Sequence, residues 1–557
     1  MPTSKLAKHA SKLLFFCVTA FYLIGLGSLP ILGPDEPRYA EVAREMLLRR
    51  DLITPTLGGR PWFEKPPLLY WLMMASYRVL GVNEYAARLG PALCGLITAA
   101  FVWWIARSIE AIDRETNGES PCSALATWSA LVFLASLGAI GFSRAASFDV
   151  VLTMTVTGAF ACFFIAQSKL TRQRSDDLAI SSKQNGLRLL FYFFIGLSLL
   201  AKGLVGVIIP LGVIAAYFVI RREWPDKQLL RSLLWGTPIA LFVAAVWYGP
   251  MILRHGWTFI DEFFIQHHFA RFLTNKYRHP QPFYYYLVTL LWLPAPWTAV
   301  LASAFFAARR WNWRGRASLD RLRVFAFAWI VMPLIFFSLS ESKLPGYLLP
   351  VLPATALLVG ERISCFVRAR RGEKVMKVTG ALLTIVGAVG LWYCVRKVGL
   401  SLSCAIAIAS APLIAGATSL FIPRPKSTVL VTFALSAFCV AATVIVCTRP
   451  LAEQDSVRSL MQTAAARGYT STPVFYMLAD DRTAEFYAGG RLAYQPNGEP
   501  LRFDGAQDVA AAIRAKGGIG LVFIETRWEK QLTDYAAVQT ERISSNRTLT
   551  LFAVHAR

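Results

Sequence analysis

"PPLLYWLMMASYRVLG", Pro66 to Gly81, is apolar enough to enter a membrane, but it is only about 16 residues long and carries Arg78 near its end. A crossing helix needs roughly 20 apolar residues to span a hydrocarbon core of about 30 Å. Whether this segment crosses decides the side on which every later loop lies. If it does not, the loops assigned to the inner side carry 25 basic residues and the outer loops after Lys65 carry nine. If it does, the bias reverses, against the tendency of Lys and Arg to collect in cytoplasmic loops. Pro66–Gly81 is therefore expected on the outer side, partly immersed.

Outward from this segment, apolar runs long enough to cross recur at about 13–32, 88–106, 123–142, 150–168, 188–201, 203–220, 232–253, 284–308, 324–340, 345–361, 378–395, 398–421 and 428–447. Lys5, Lys8 and Lys12 precede the first run, which is too long for most signal-peptide cores and ends without a small-residue cleavage site. It reads as a retained span with the N-terminus inside. The fold class expected is a polytopic α-helical membrane protein of about 13 transmembrane helices, with outer-face juxtamembrane helices and a small C-terminal soluble α/β domain. Residues 1–448 form the membrane domain, with outer loops at 33–87 and 254–283, and residues 449–557 form the soluble one. In the latter "PVFYML", "GLVFIE" and "LTLFAVH" read as strands and Asp504–Ala515 as a helix. An odd number of spans places this domain outside. It carries no phosphate loop or nucleophile motif, which favours a structural or docking role.

Composition narrows the function classes. At 557 residues and 55% hydrophobic, the chain is no ordinary soluble protein. Its formal charge of +24 pools in cytoplasmic loops, and no RNA- or DNA-binding motif accompanies it, so no nucleic-acid partner is expected. Most of the nine cysteines lie inside apolar runs and none form C-x-x-C, so neither a disulfide framework nor a cysteine metal site is indicated. A transporter would place ionisable groups near the bilayer midplane and repeat one half in the other; neither pattern is visible.

The unusual polar residues instead fall on the outer side: Asp35, Glu36, Arg38, Glu64, Lys65, Asp149, Lys202, His255, His267, His268, Arg271, His279 and Lys343, amid "PWFEKPP", "RHPQPFYYY" and "SKLPGYLLP". In "GPDEPRYAEVAREMLLRR", Gly33–Arg50, Tyr39, Val42, Ala43 and Met46 make one apolar helix stripe, while Arg38, Glu41 and Glu45 lie on another face. Asp35 suits an N-cap and Pro37 a first turn, so an interfacial helix is one reading. The other is chemical, because two adjacent carboxylates at the edge of hydrocarbon are costly without a cation or metal. Asp149 likewise suits a cap, and Glu64-Lys65 an interfacial anchor. Lys202 breaks a long apolar stretch, which is costly unless an anion or carboxylate meets it. Carboxylates and cations beside aromatic walls suit a lipid-phosphate leaving group: the cations neutralise the departing phosphate while a carboxylate positions the acceptor. On the residues alone, this is an enzyme handling an anionic lipid at the outer membrane surface.

At these residues the sequence resembles the aminoarabinose transferases of lipid A, within the protein O-mannosyltransferase-like family of membrane glycosyltransferases. The resemblance runs in order through Asp35–Met46, Phe63–Pro66, Asp149, Lys202-Gly203, His268–Phe272, His279–Phe283 and Lys343–Tyr347. The last third is matched only in kind. The resemblance implies a GT-C type fold, a donor of undecaprenyl phosphate carrying 4-amino-4-deoxy-L-arabinose, and lipid A phosphate as acceptor. It implies a bacterial inner membrane location, with the active site and C-terminal domain periplasmic, and resistance to polymyxin. It makes Asp35 the catalytic carboxylate, with Arg38 and Asp149 grouped beside it. Lys65, Lys202, Arg271, Lys343 and Tyr347 are the phosphate-binding candidates. Related transferases often use a divalent ion, for which Glu64 with His268 is the candidate pair; no nucleotide cofactor is expected. The nearest rival is the same fold transferring mannose from a lipid phosphate to protein hydroxyls.

Overall fold

The computed structural model describes residues 16–117, 124–170, 178–270, 273, 280–369, 372–422, 427–495 and 498–556. Among these the chain is a multi-pass helical membrane protein with a C-terminal mixed sheet. Among the described residues, nine helices are long and apolar enough to cross a membrane, or ten if the pair Leu125–Leu134 and Leu137–Ser143, bent by 57°, is one span. The expected thirteen runs map onto less regular segments than thirteen clean spans. Val205–Arg221 is a helix of only 17 residues. The run at 284–308, expected as one span, is broken into Tyr285–Trp292 and Thr298–Ala307. Its break is "LPAPW", Leu293–Trp297, where two prolines withhold backbone donors and cannot continue a helix. Leu68–Leu80 is a helix of 13 residues; at about 1.5 Å per residue it is too short to cross.

The chain divides into two compact units. The first, Met1–Ile24, Phe63–Leu69 and Pro91–Val444, holds most of the membrane helices. Phe148–Leu170 is its central strut, nearly all of it buried, with Phe160, Phe163 and Phe164 packed on Phe325 and Trp329 of Ser318–Ser338. Helix polarity sorts the ends of this unit. Asp149 opens one helix, Lys202 closes Leu178–Lys202, and Lys343 follows Ser338, so all three lie at one end. Arg221, the last residue of Val205–Arg221, and Ser318 lie at the other.

The second unit is Gly25–Trp62, Tyr70–Gly90 and Ile445–Arg557. It contains the helix Glu36–Arg49, a small hairpin of β1 (Thr56–Leu57) and β2 (Arg60–Pro61), and a five-stranded sheet. The sheet strands are β3 (Val474–Met477), β4 (Arg502–Phe503), β5 (Ile519–Glu525), β6 (Val538–Ser545) and β7 (Leu549–Ala556). Their order is β4-β3-β5-β7-β6, with β3 parallel to β4 and β5, and β7 antiparallel to both its neighbours. Alternate residues feed two cores. Tyr476, Leu521, Phe523 and Leu551 face Arg458–Ala466, and Phe475, Val522, Ile524 and Phe552 face Ala506–Ala515. The three strands and the helix expected from sequence are present. The polar edge strand β6 and the two-residue β4 gave no apolar pattern to find.

Candidate active site

Lys202 and Asp149 form an ion pair in the first unit. Local sequence explains how they meet. The amide of Asp149 donates to Ser147 Oγ at 3.1 Å, so Ser147 rather than Asp149 acts as the cap, leaving the Asp149 carboxylate to Lys202. Gly203, at φ +67°, ends the preceding helix in the left-handed conformation that glycine adopts at no steric cost, and its amide bonds Leu199 O at 2.9 Å. Lys202 thus sits on the last helical turn. Its Nζ also lies 4.4 Å from the ring centroid of Tyr347. Tyr347 belongs to the short 3-10 segment Pro345–Val351 and packs on Phe337 at 5.6 Å. A methyl group on Gly346 would collide with the Asp149 carboxylate and Phe142, so only glycine lets this turn approach so closely. Lys343, 7% exposed, makes no ion pair with a described carboxylate, and the neighbouring Leu344 carbonyl accepts from Tyr286 Oη at 3.2 Å. Lys202 and Asp149 neutralise one another, and Lys343 adds a buried cation two residues from exposed Glu341.

Glu64 and Lys65 pair with each other at 2.7 Å, both side chains largely buried. Phe63 fixes this turn by packing on His255 at 4.9 Å and Phe259 at 5.5 Å, within an aromatic cluster that includes Trp247, Tyr248 and Phe263. Arg271, His279 and the side chain of His268 lie outside the described residues. No group of three His, Cys, Asp or Glu side chains that could hold a metal occurs among the described residues. Glu64 accepts from Lys65 Nζ at 2.7 Å. Of the pair expected to hold a divalent ion, only the Glu64 side chain lies within the described residues.

In the second unit, Asp35 accepts from Arg38 Nη2 at 2.6 Å and is 46% exposed. It makes no capping hydrogen bond, contrary to the interfacial-helix reading. Arg38 is held by the Pro34 carbonyl at 2.8 Å and lies over the Trp62 ring at 5.6 Å. Glu36 finds its cation in a residue the sequence reading overlooked. Arg88 pairs with both its oxygens at 2.8 Å and donates to the carbonyls of Leu26, Leu29 and Pro30. The only sequence signal was an arginine inside "EYAARLGPA", where a buried charge demands a partner.

The second face of Glu36–Arg49 is also buried. Glu41, fully buried, accepts from Arg44 Nε at 2.7 Å, and Glu45 accepts the amides of Gly58 and Gly59 at 2.7 and 3.0 Å. Burial pushes the Glu41 carboxyl up to about 7, against the pull of Arg44 and with help from Glu45 and Glu485.

Of the predicted set, the structure thus joins Asp149, Lys202 and Tyr347 directly, with Lys343 four residues from Tyr347. It also joins Asp35 to Arg38, and Glu64 to Lys65.

The dolichyl-phosphate-mannose-protein mannosyltransferase family model matches residues 11–260. Undecaprenyl phosphate-alpha-4-amino-4-deoxy-L-arabinose arabinosyl transferase from Edwardsiella ictaluri is 29% identical over 67% of this chain and 62% of its own length. The transferase of the same name from Pectobacterium atrosepticum is 31% identical over 71% of this chain and 66% of its own length. The chain thus spans less than two thirds of these curated relatives. The crystal structure of ArnT from Cupriavidus metallidurans bound to undecaprenyl phosphate has a TM-score of 0.77 and covers 97% of both chains, at 22% identity. It shares this fold.

Proposed function

The chain belongs to the protein O-mannosyltransferase-like family of membrane glycosyltransferases, and from that premise we propose that it transfers 4-amino-4-deoxy-L-arabinose from undecaprenyl phosphate to lipid A phosphate. The reaction takes place at the periplasmic face of the bacterial inner membrane and weakens the binding of polymyxin and other cationic peptides. The observation that carries the reading is the Asp149–Lys202–Tyr347 assembly with buried Lys343. A lysine oriented by a carboxylate and an aromatic face, with a second buried lysine at the same end of the helices, is suited to meet a phosphate.

In the transfer, a lipid A phosphate oxygen attacks the anomeric carbon. The bond from that carbon to the carrier phosphate oxygen breaks, and undecaprenyl phosphate leaves with the electron pair. Lys202, Lys343, Lys65 and Arg271 stabilise the charge that develops on it. The acceptor phosphate is already ionised near neutral pH, so Asp35 orients the acceptor or the sugar amine rather than removing a proton, and Arg38 fixes the Asp35 carboxylate.

The family model favours a second reading, mannosyl transfer to a protein hydroxyl. A hydroxyl acceptor needs a true base, a role that Asp35 would then have to fill. The test is expression in cells lacking their own aminoarabinose transferase, followed by mass spectrometry of lipid A. Appearance of the aminoarabinose adduct supports the proposal. An unchanged spectrum, with donor lipid present and the protein folded, overturns it.

A further inference from the structure

The opposite end of the first unit carries a feature that sugar transfer does not use. "RRWNWRGR", Arg309–Arg316, joins Ala308 to the helix Ser318–Ser338. Its apolar and polar residues are sorted sharply. Trp311 and Trp313 pack against each other at 5.6 Å and edge-to-face on Phe327 at 6.4 and 5.0 Å, and Trp313 Nε1 donates to Ala308 O at 3.1 Å. Gly315 is buried and its carbonyl accepts from Arg221 Nη1 at 3.0 Å. With the tryptophans and Gly315 turned inward, Arg309, Arg310, Arg314 and Arg316 are all exposed, as is Arg222 beside Arg221.

Local acids offset them only in part. Glu223 pairs with fully buried Arg221 and also feels Arg316, while Asp320 and Glu361 share Arg323, so the cations outnumber the carboxylates here. Buried Arg321 adds another guanidinium whose Nε has no hydrogen-bond partner among the described residues. Arg221 bridges Glu223 to the Gly315 carbonyl and so tethers the loop, which lowers the ordering cost of presenting the exposed arginines. Tryptophans at a helix end sit at headgroup level, and a guanidinium fork matches phosphate oxygens.

We propose that Arg309–Arg316, with Arg222, binds the phosphodiester headgroup of an anionic phospholipid in the leaflet at this end of the helices. The sequence's loop charges assign that side to the cytoplasm. The helix Ser318–Ser338 separates this site from Lys343 by about 30 Å, at about 1.5 Å per residue. The lipid bound here is therefore neither sugar donor nor acceptor.

The test uses the full-length protein in a neutral detergent, titrated with mixed phosphatidylglycerol and phosphatidylcholine, with retained lipid counted by native mass spectrometry. Wild type is expected to retain phosphatidylglycerol selectively. Each arginine removed should lower its affinity about fivefold, so Arg310→Gln/Arg314→Gln/Arg316→Gln should lower it on the order of a hundredfold. Arg396→Gln/Lys397→Gln, two exposed cations at the other end, should leave retention unchanged. Inorganic phosphate at matched concentration should not displace the lipid.

Equal loss in both variants, or equal retention by wild type and the triple variant, overturns the proposal, as does displacement by free phosphate. Should the triple variant elute as aggregate, Arg314→Gln alone decides through its fivefold effect. Lipid A modification is read separately, so failure of the sugar-transfer reading would not touch this result.

Discussion

Lys202 Nζ lies 4.4 Å from the centre of the Tyr347 ring while its charge is met by Asp149. The ring therefore positions the ammonium through its face, not through its hydroxyl. Tyr347→Leu should weaken donor binding about 2- to 30-fold, the range of a partly desolvated cation–π contact, and Tyr347→Phe should keep most of that part. Titration of purified variants with undecaprenyl phosphate checks this. Equal losses in both would make the hydroxyl the contributing group instead.

Gly346 is the neighbour that lets Tyr347 reach this position. Gly346→Ala would push a methyl group into the Asp149 carboxylate, and one of the two must move. The expected outcome is a loss of transfer of at least about tenfold, since displacement of about 1 Å at a site of this kind can cost more. Insertion and yield should stay near wild type. Full activity would show that the 3-10 turn gives way at little cost.

Arg88 holds the start of the second unit together. Its guanidinium satisfies Glu36 and three carbonyls, and both side chains of the pair are nearly buried. Arg88→Ala leaves a carboxylate and three carbonyls without their donor, a loss of about 3–5 kcal/mol for breaking such a pair. Glu36→Gln should cost less, because the amide oxygen still accepts. Thermal unfolding of the purified variants tests this ordering, and a reversed order would reassign the role of Arg88.

Glu41 gives the second unit a pH dependence. Its carboxyl is raised to about 7 by burial, with Arg44 opposing and Glu45 and Glu485 reinforcing the shift. Between the ordinary carboxyl range and about 7 the folded chain holds the proton and the unfolded chain does not. Stability is therefore greatest on the acid side and falls as pH rises to about 7, then levels. Unfolding temperature measured from pH 5 to 8 should decline in wild type and flatten in Glu41→Gln. A wild-type profile that rises over this interval would mean the Arg44 pairing dominates.

How much of this was legible in sequence depends on whether a residue acts through its own neighbourhood. The interior helix Phe148–Leu170 and strands β3, β5 and β7 announce themselves as apolar runs. The Asp149–Lys202 pair was legible in part, because a lysine in an apolar stretch demands a counter-charge, but nothing local says which carboxylate supplies it. Arg88 and Ser147 were missed for the same reason: their partners are fixed by tertiary packing or by a one-residue shift in where a helix starts. Sequence puts Glu41 and Glu45 only on a face apart from the apolar stripe, because periodicity separates polar from apolar residues but cannot show that the polar side is covered too.

Asp35 separates a structural from a chemical role most cleanly. Its side chain caps nothing, and its ion pair with Arg38 is 46% exposed on the Asp35 side, so that pair contributes at most about 1 kcal/mol. A capping aspartate replaced by alanine would cost about that much in helix stability, visible as a shift of a few degrees in unfolding temperature, whereas asparagine caps about as well as aspartate. Asp35→Ala should instead unfold within about 2 °C of wild type, and Asp35→Asn should lower the aminoarabinose adduct on lipid A at least about a hundredfold through lost positioning. Arg38→Gln should follow the same pattern more weakly, because it loosens the carboxylate without removing it. If Asp35→Asn modifies lipid A as wild type does, the carboxylate plays no part in transfer and the chemistry must rest on the cations around Lys202 alone.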